Sequence, residues 1–130
     1  MNPQTKPDVE YLTSEQMKSL PFSEAVRVGS MLYLSGMIGM DSSMKLAPGG
    51  ITAETRQAME NIKATLERYG SSLDHVVKVT VMMADMSEWA EMNKVYVPYF
   101  TKNLPARSAL GANGLAFGAR VEIECIAVVK

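Results

Sequence analysis

The sequence has only one cysteine and one histidine, and this scarcity limits the chemistry that the chain can perform. A lone cysteine, Cys125, cannot form an internal disulfide. His75 alone cannot build a zinc site, because such sites need several protein ligands and no cysteine cluster accompanies it. No His or Lys flanks Cys125 to lower the pKa of its thiol. We therefore predict neither a metal site nor a cysteine nucleophile.

Long hydrophobic runs and an excess of charge of one sign are also missing. No apolar run approaches the ~18 residues that a transmembrane helix needs, and no signal-peptide pattern is visible. Lys and Arg total 13 against 14 Asp and Glu, for a formal net charge of −1, which argues against a nucleic-acid binder that depends on a basic surface. Phosphate-binding loops and nucleophile elbows are absent as well. We expect a reduced, cytoplasmic, globular protein.

Hydrophobic periodicity and turn residues predict a single α/β domain over residues 21–130, preceded by a loosely ordered N-terminal arm over residues 1–20. A hairpin turn is expected at Gly29 and Ser30. Thr52 and Gly70 are predicted to cap the first helix, and the second helix is expected to follow Asp85 and to end near Val97. The predicted strands cover 24–28, 31–38, 75–83, 106–110 and 119–129, and the first helix covers 53–69.

The order ββ-α-β-α-ββ predicts two helices on one face of a single mixed sheet. The chain has no third helix for the opposite face, although many alternating residues on that face are apolar or small. Self-association through the open face would cover it.

Arg107 is the only charged residue between Lys102 and Arg120, and it lies in the otherwise strand-like segment LPARSALG (104–111). A guanidinium offers two parallel N–H donors that match a planar carboxylate. Glu122, on the polar face of the last strand, could orient a water molecule or accept its proton. The alternative is a structural ion pair of Arg107 with Glu122 or with Glu124, and the spacing alone favours this ion pair.

The segment PARSALGANGLAFGARVEIECIA (105–127) closely resembles the C-terminal signature of the Rid/YjgF family, the reactive intermediate deaminases. YLSGMIG (33–39) is similar to the family's strand with a Ser-Gly step, and residues 59–86 and 89–100 are similar to its two helices and the strand between them. The resemblance covers residues 21–130. It implies a chorismate-mutase-like fold and a homotrimer with one site at each subunit boundary.

The resemblance also implies a reaction, namely hydrolysis of 2-enamine or 2-imine carboxylates, such as 2-aminoacrylate and 2-iminopropanoate, to 2-oxo acids and ammonium. No metal or organic cofactor is implied. By the same resemblance, Arg107 binds the substrate carboxylate and Glu122 positions the hydrolytic water. Ser35, the backbone at Gly36 and Asn93 line the pocket.

Two positions depart from the family's deaminase branch. That branch usually carries Tyr where this chain has Phe22, and Cys where this chain has Ala109. The resemblance implies a ligand contact through the backbone of Ala109, so that substitution matters little, whereas Phe22 makes the pocket more apolar. The alternatives are therefore a relative that acts on another catabolic intermediate, of pyrimidine or aminomuconate type, and a non-catalytic trimer that binds small carboxylates.

Overall fold

Residues 8–130 are the part of the chain that the computed structural model describes, and seven β-strands within them form one sheet. Residues 1–7, which belong to the predicted N-terminal arm, lie outside the described residues. The strands are β1 (Val9–Leu12), β2 (Ala25–Val28), β3 (Met31–Leu34), β4 (Met37–Ile38), β5 (Val76–Met83), β6 (Ala106–Gly111) and β7 (Val121–Val128). The α-helices are α1 (Gly50–Arg68) and α2 (Trp89–Tyr96).

The strand order is β1-β2-β3-β7-β5-β6, and β4 pairs with β7 beyond the end of β3. Only β5 and β6 run parallel among these pairs, so the predicted single mixed sheet is confirmed. Val28 pairs directly with Met31, and Gly29 between them has a φ of 59°. The two-residue hairpin is therefore present, with glycine in the left-handed conformation that such a turn requires.

The two faces of the sheet differ as the alternation in β7 predicts. Its residues 121, 123, 125 and 127 are buried, and together with Met59 and Leu66 of α1 and Met92 of α2 they form one hydrophobic core. The opposite face carries Glu122 and Glu124 together with large apolar side chains such as Tyr33 and Leu110, which are among the exposed hydrophobic residues. One sheet face is thus covered by both helices and the other is open.

The structure differs from the sequence prediction at three places. Residues 9–12 are not a loose arm, because they form β1 and pair along their whole length with β2. Helix α1 begins before Thr52, because Gly49, with a φ of 123°, turns the chain into the helix earlier. The strand predicted over residues 31–38 is interrupted at Ser35 and Gly36, which separate β3 from β4.

The remaining helix ends follow the prediction. Gly70 has a φ of 86° after the end of α1, in the left-handed conformation expected there. The Asp85 carboxylate accepts a hydrogen bond of 2.9 Å from the backbone N–H of Ser87, ahead of α2. Pro98 lies in the single 3-10 turn that follows α2. Neither α-helix of the described residues is long and apolar enough to cross a membrane.

Candidate functional site

Arg107 lies on the helix-covered face of β6, at the edge of the sheet, and α2 holds it there. Its Nη1 donates a hydrogen bond of 2.7 Å to Oδ1 of Asn93. Its guanidinium carbon lies 4.9 Å from the centre of the Tyr96 ring and 5.8 Å from that of the Trp89 ring. Because an arginine carries several N–H donors, the bond to Asn93 fixes the guanidinium and leaves donors for a ligand.

Tyr96 supports the guanidinium from inside the protein. The side chain is buried in the core, and burial raises the pKa of its hydroxyl to about 12. The neutral ring therefore presents its π-face to the Arg107 cation without adding a charge to the site. Trp89 and Tyr96 both belong to α2. Their contact with Arg107 depends on the packing of α2 against β6, for which the spacing along the sequence gives no signal.

Glu122 lies on the other face of the sheet, on β7, and its carboxylate rests against Gly36. A Cβ atom at position 36 would overlap the Oε2 atom of Glu122. The hydroxyl of Ser35 donates a hydrogen bond of 2.6 Å to the carbonyl of Ser23, and the Ser35 N–H donates one of 3.0 Å to the carbonyl of Glu24. These two bonds tie the break between β3 and β4 to the segment before β2, and the break leaves room for the Glu122 carboxylate.

The electrostatics of Glu122 suit a proton acceptor. Burial raises the pKa of its carboxyl above the ordinary value, and the negative charge of Glu124 raises it further. A carboxylate with a raised pKa is a stronger base than an ordinary surface glutamate, because its anionic form is less well stabilised.

Arg107 and Glu122 are not brought together within one chain. Arg107 points to α2 and bonds Asn93, whereas Glu122 and Glu124 lie on the open face of the sheet. The structural ion pair of Arg107 with either glutamate is therefore wrong within a single chain, because side chains that alternate along β-strands leave on opposite faces. The predicted site residues therefore fall into two groups. The Arg107 group comprises Arg107, Asn93 and Ala109. The Glu122 group comprises Glu122, Gly36, the neighbouring Ser35, and Phe22.

The Glu122 group borders a cavity of about 720 Å³. Phe22, Gly36 and Glu122 line it, as does Phe117 in the turn before β7, a residue with no predicted role. The only signal at Phe117 is an aromatic residue within a glycine-rich turn. Much of the remaining lining is apolar and includes four methionines, namely residues 17, 37, 40 and 44.

Ala109 lies on the same strand as Arg107 and is partly buried against the core. Because β6 is an edge strand, half of its backbone N–H and C=O groups point away from the sheet and are available to a ligand or to another chain. The Arg107 group therefore consists of a fixed guanidinium beside an open strand edge.

The remaining candidate groups have structural surroundings. Cys125 is buried, and burial raises the pKa of its thiol to about 12, so the reactive thiolate form is disfavoured at neutral pH. The Nδ1 atom of His75 lies 2.8 Å from the Ser72 hydroxyl. Across residues 8–130, no group of three or more His, Cys, Asp or Glu residues is placed to hold a metal ion.

Comparison with known proteins gives consistent matches along the chain. A family model described as Endoribonuclease L-PSP matches residues 13–129. A Mus musculus protein named 2-iminobutanoate/2-iminopropanoate deaminase is 45% identical over 109 residues, which cover 83% of this chain and 81% of that protein. The Homo sapiens protein of the same name is 42% identical over 109 residues, with 83% and 80% covered.

Solved structures agree with these matches. The crystal structure of the YjgF gene product from E. coli superposes with a TM-score of 0.86 at 30% identity, covering 93% of this chain and 99% of that one. RidA from an Antarctic Psychrobacter superposes with a TM-score of 0.82 at 35% identity, covering 97% and 100%. The fold and the order of its elements are therefore shared over almost the whole length.

Proposed function

Because the chain belongs to the YjgF/Rid family, whose model is described as Endoribonuclease L-PSP, we propose that it hydrolyses reactive 2-enamine and 2-imine carboxylates to 2-oxo acids and ammonium. Relatives that are 42% to 45% identical over most of the chain are named for this activity. Within the site, the observation that carries the proposal is the guanidinium of Arg107, which Asn93 and two aromatic rings hold in place with N–H donors to spare. We expect the enzyme to act in the cytoplasm.

The reaction needs a water molecule, a proton acceptor and little else. A 2-enamine tautomerises to its imine, and protonation of the imine nitrogen makes the neighbouring carbon electrophilic. Water adds to that carbon as a carboxylate accepts its proton. The carboxylate returns that proton to the nitrogen of the tetrahedral intermediate, and the C–N bond breaks to release ammonia. The hydroxyl proton passes to the ammonia to give ammonium, and the C–O bond becomes the carbonyl of the 2-oxo acid. Water is the only co-reactant, and no electrons are gained or lost.

Each step has a residue suited to it. Arg107 binds the substrate carboxylate with two parallel hydrogen bonds. Glu122 accepts the proton of the attacking water and returns it to the leaving nitrogen. Its negative charge also stabilises the protonated imine. Holding the carboxylate and the water in attack geometry lowers the barrier further, because the reactants no longer have to meet by diffusion.

The separation of the two groups supports a site shared between subunits. Arg107 and Glu122 leave opposite faces of one sheet, so a site that contains both needs Arg107 from one chain and Glu122 from another. The open, partly apolar sheet face supplies a surface for that contact. We infer a homotrimer with three equivalent sites, one at each boundary, because a closed ring of identical contacts covers the open face of every chain.

A subunit-mixing experiment tests both the reaction and the shared site. An amino-acid oxidase generates the imines, and release of the 2-oxo acid is measured in competition with a semicarbazide trap. Arg107→Ala and Glu122→Ala should each lose at least about 10²-fold in activity, because each removes one half of every site. If the two variants are unfolded together and refolded as mixed trimers, about a quarter of the sites should combine an intact Arg107 with an intact Glu122, because each half is intact with a chance of about one half.

Three outcomes would contradict the proposal. A mixture no more active than the separate variants would exclude the shared site, and full activity of Arg107→Ala would exclude the carboxylate-binding role. Binding of 2-oxobutanoate without any acceleration of imine hydrolysis would instead favour a non-catalytic carboxylate-binding protein. Light scattering of the separate variants serves as the control, since both should remain trimers.

A further inference from the structure

Two exposed phenylalanines border the cavity that contains Glu122. In the single chain Phe22 is 49% exposed and Phe117 is 75% exposed, and both line the cavity together with Gly36 and Glu122. Large apolar side chains that converge on one concave site are typical of ligand binding, because transfer of their surface from water to contact with a ligand is favourable.

The backbone at Phe117 adds a second, independent observation. Phe117 has a φ of 59° and a ψ of 19°, which is the left-handed conformation. Bulky residues rarely adopt that conformation, and such strain concentrates at functional sites where the surrounding structure imposes it. The following residue, Gly118, is also left-handed, with a φ of 72°. The chain thus places an aromatic ring at a turn position that glycine or asparagine would occupy with less strain.

The size of the cavity exceeds what the smallest imino acids require. Its volume of about 720 Å³ lies within the range of roughly 300–1,000 Å³ that holds ligands much larger than 2-iminopropanoate. The methionines of the lining are unbranched and polarisable, so they can adapt to apolar side chains of different shapes.

The charges around the cavity argue against acidic ligand side chains. The guanidinium of Arg68 pairs at 2.7 Å with the buried carboxylate of Glu24, so its positive charge is already compensated. Asp41 and Glu122 add two further acidic residues to the lining. The part of the cavity beyond Glu122 therefore suits apolar groups and repels carboxylates.

Building on the proposed function, we propose that Phe22 and Phe117 select imino acids with large apolar side chains, such as those derived from phenylalanine, methionine or leucine. The reacting carbon lies beside Glu122, and the side chain of the substrate packs between the aromatic rings and the methionine-lined part of the cavity. Imines with short or acidic side chains are poorer substrates, because they leave this apolar surface in contact with water or bring a negative charge to it.

The test compares imines derived from phenylalanine, alanine and glutamate with wild-type protein and two variants. Phe117→Asn removes the ring but keeps a residue that tolerates the left-handed backbone, and Phe117→Ala removes the ring with a different backbone preference. The control is Tyr11→Ala, which removes a ring that is 76% exposed on β1 and does not line the cavity.

We expect the ratio of kcat/KM for the phenylalanine-derived imine to that for the alanine-derived imine to fall about tenfold in both Phe117 variants, the usual scale for lost apolar contacts in a pocket. The ratio should not change in Tyr11→Ala. Ratios within about twofold of wild type in both Phe117 variants would overturn the inference while leaving the proposed function intact. Failure of the wild type to accelerate hydrolysis of any of the three imines would instead overturn the proposed function.

Discussion

Gly36 provides the most direct test of the role of Glu122, because the glycine leaves the space that the Glu122 carboxylate occupies. A Cβ atom at position 36 would overlap Oε2 of Glu122 and would stand 2.9 Å from its carboxyl carbon. Gly36 has no positive φ that a side chain would strain. In Gly36→Ala, the Glu122 side chain must therefore rotate away from its position while the backbone stays as it is.

The expected loss of kcat follows from the displacement of the Glu122 carboxylate. A positioned general base contributes about 10²- to 10⁴-fold to a rate, so displacing Glu122 should lower kcat by about 10²-fold. KM should change by only about threefold, because the carboxylate contacts through Arg107 contribute equally to the ground state and the transition state. The free energy of unfolding should fall by only about 1 kcal/mol, since the displaced group is a flexible side chain that is partly exposed.

A double-mutant cycle shows whether the effect acts through the carboxylate. In a Glu122→Ala background the added methyl group has nothing to displace, so Gly36→Ala should lower kcat no further. Gly114→Ala is the matched control, because a Cβ atom there meets nothing within 4 Å. Gly39→Ala provides the opposite comparison. Its Cβ would stand 2.7 Å from the backbone Cα atom of Glu54, so that variant should lose about 3 kcal/mol of stability in urea denaturation.

A wild-type kcat in Gly36→Ala would refute the role assigned to Glu122. An equal loss of kcat with and without Glu122 would also refute it, because the loss would then not pass through the carboxylate.

Three further predictions concern charge. Glu124→Gln removes the negative charge that helps to raise the pKa of Glu122, so the acid limb of the kcat/KM profile should move to lower pH, and an unmoved limb would exclude Glu122 as the titrating group. Arg107→Lys keeps the positive charge but loses the planar pair of donors, so binding of 2-oxobutanoate, followed by the fluorescence of the single tryptophan, should weaken at least about tenfold; unchanged affinity would show that a point charge suffices. Glu24→Ala removes the buried carboxylate that accepts a hydrogen bond of 2.7 Å from the Tyr69 hydroxyl. The free energy of unfolding, measured by urea denaturation, should therefore fall by about 1–3 kcal/mol. A change near zero would show that water replaces the carboxylate.

The sequence by itself determined the architecture, because local patterns carry it. The alternation of β7 assigned its buried and polar faces, the helical spacing of α1 marked its core side, and Gly29 and Gly70 marked a turn and a helix end. Each of these signals arises from neighbours within a few residues, where side-chain direction follows directly from the backbone period. The absence of a third helix likewise predicted the open sheet face.

The segments that depend on distant partners were decided only by the tertiary structure. Residues 9–12 form a strand because the edge of β2 offers hydrogen bonds to them, and nothing in their local composition indicates that edge. The break at Ser35 and Gly36 accommodates the Glu122 side chain, which packs there from a strand more than eighty positions further along the chain.

The candidate site shows the same division. Its polar residues were predicted from their chemical types and from the family resemblance, but their arrangement was not. Spacing alone favoured an ion pair between Arg107 and Glu122, whereas the register of the sheet places the two side chains on opposite faces. Phe117 gained its position beside Glu122 only through the fold of the turn before β7. Which chemical groups are available is a property of the sequence, but which of them share a space is decided by sheet register and packing, because these join residues that are far apart along the chain.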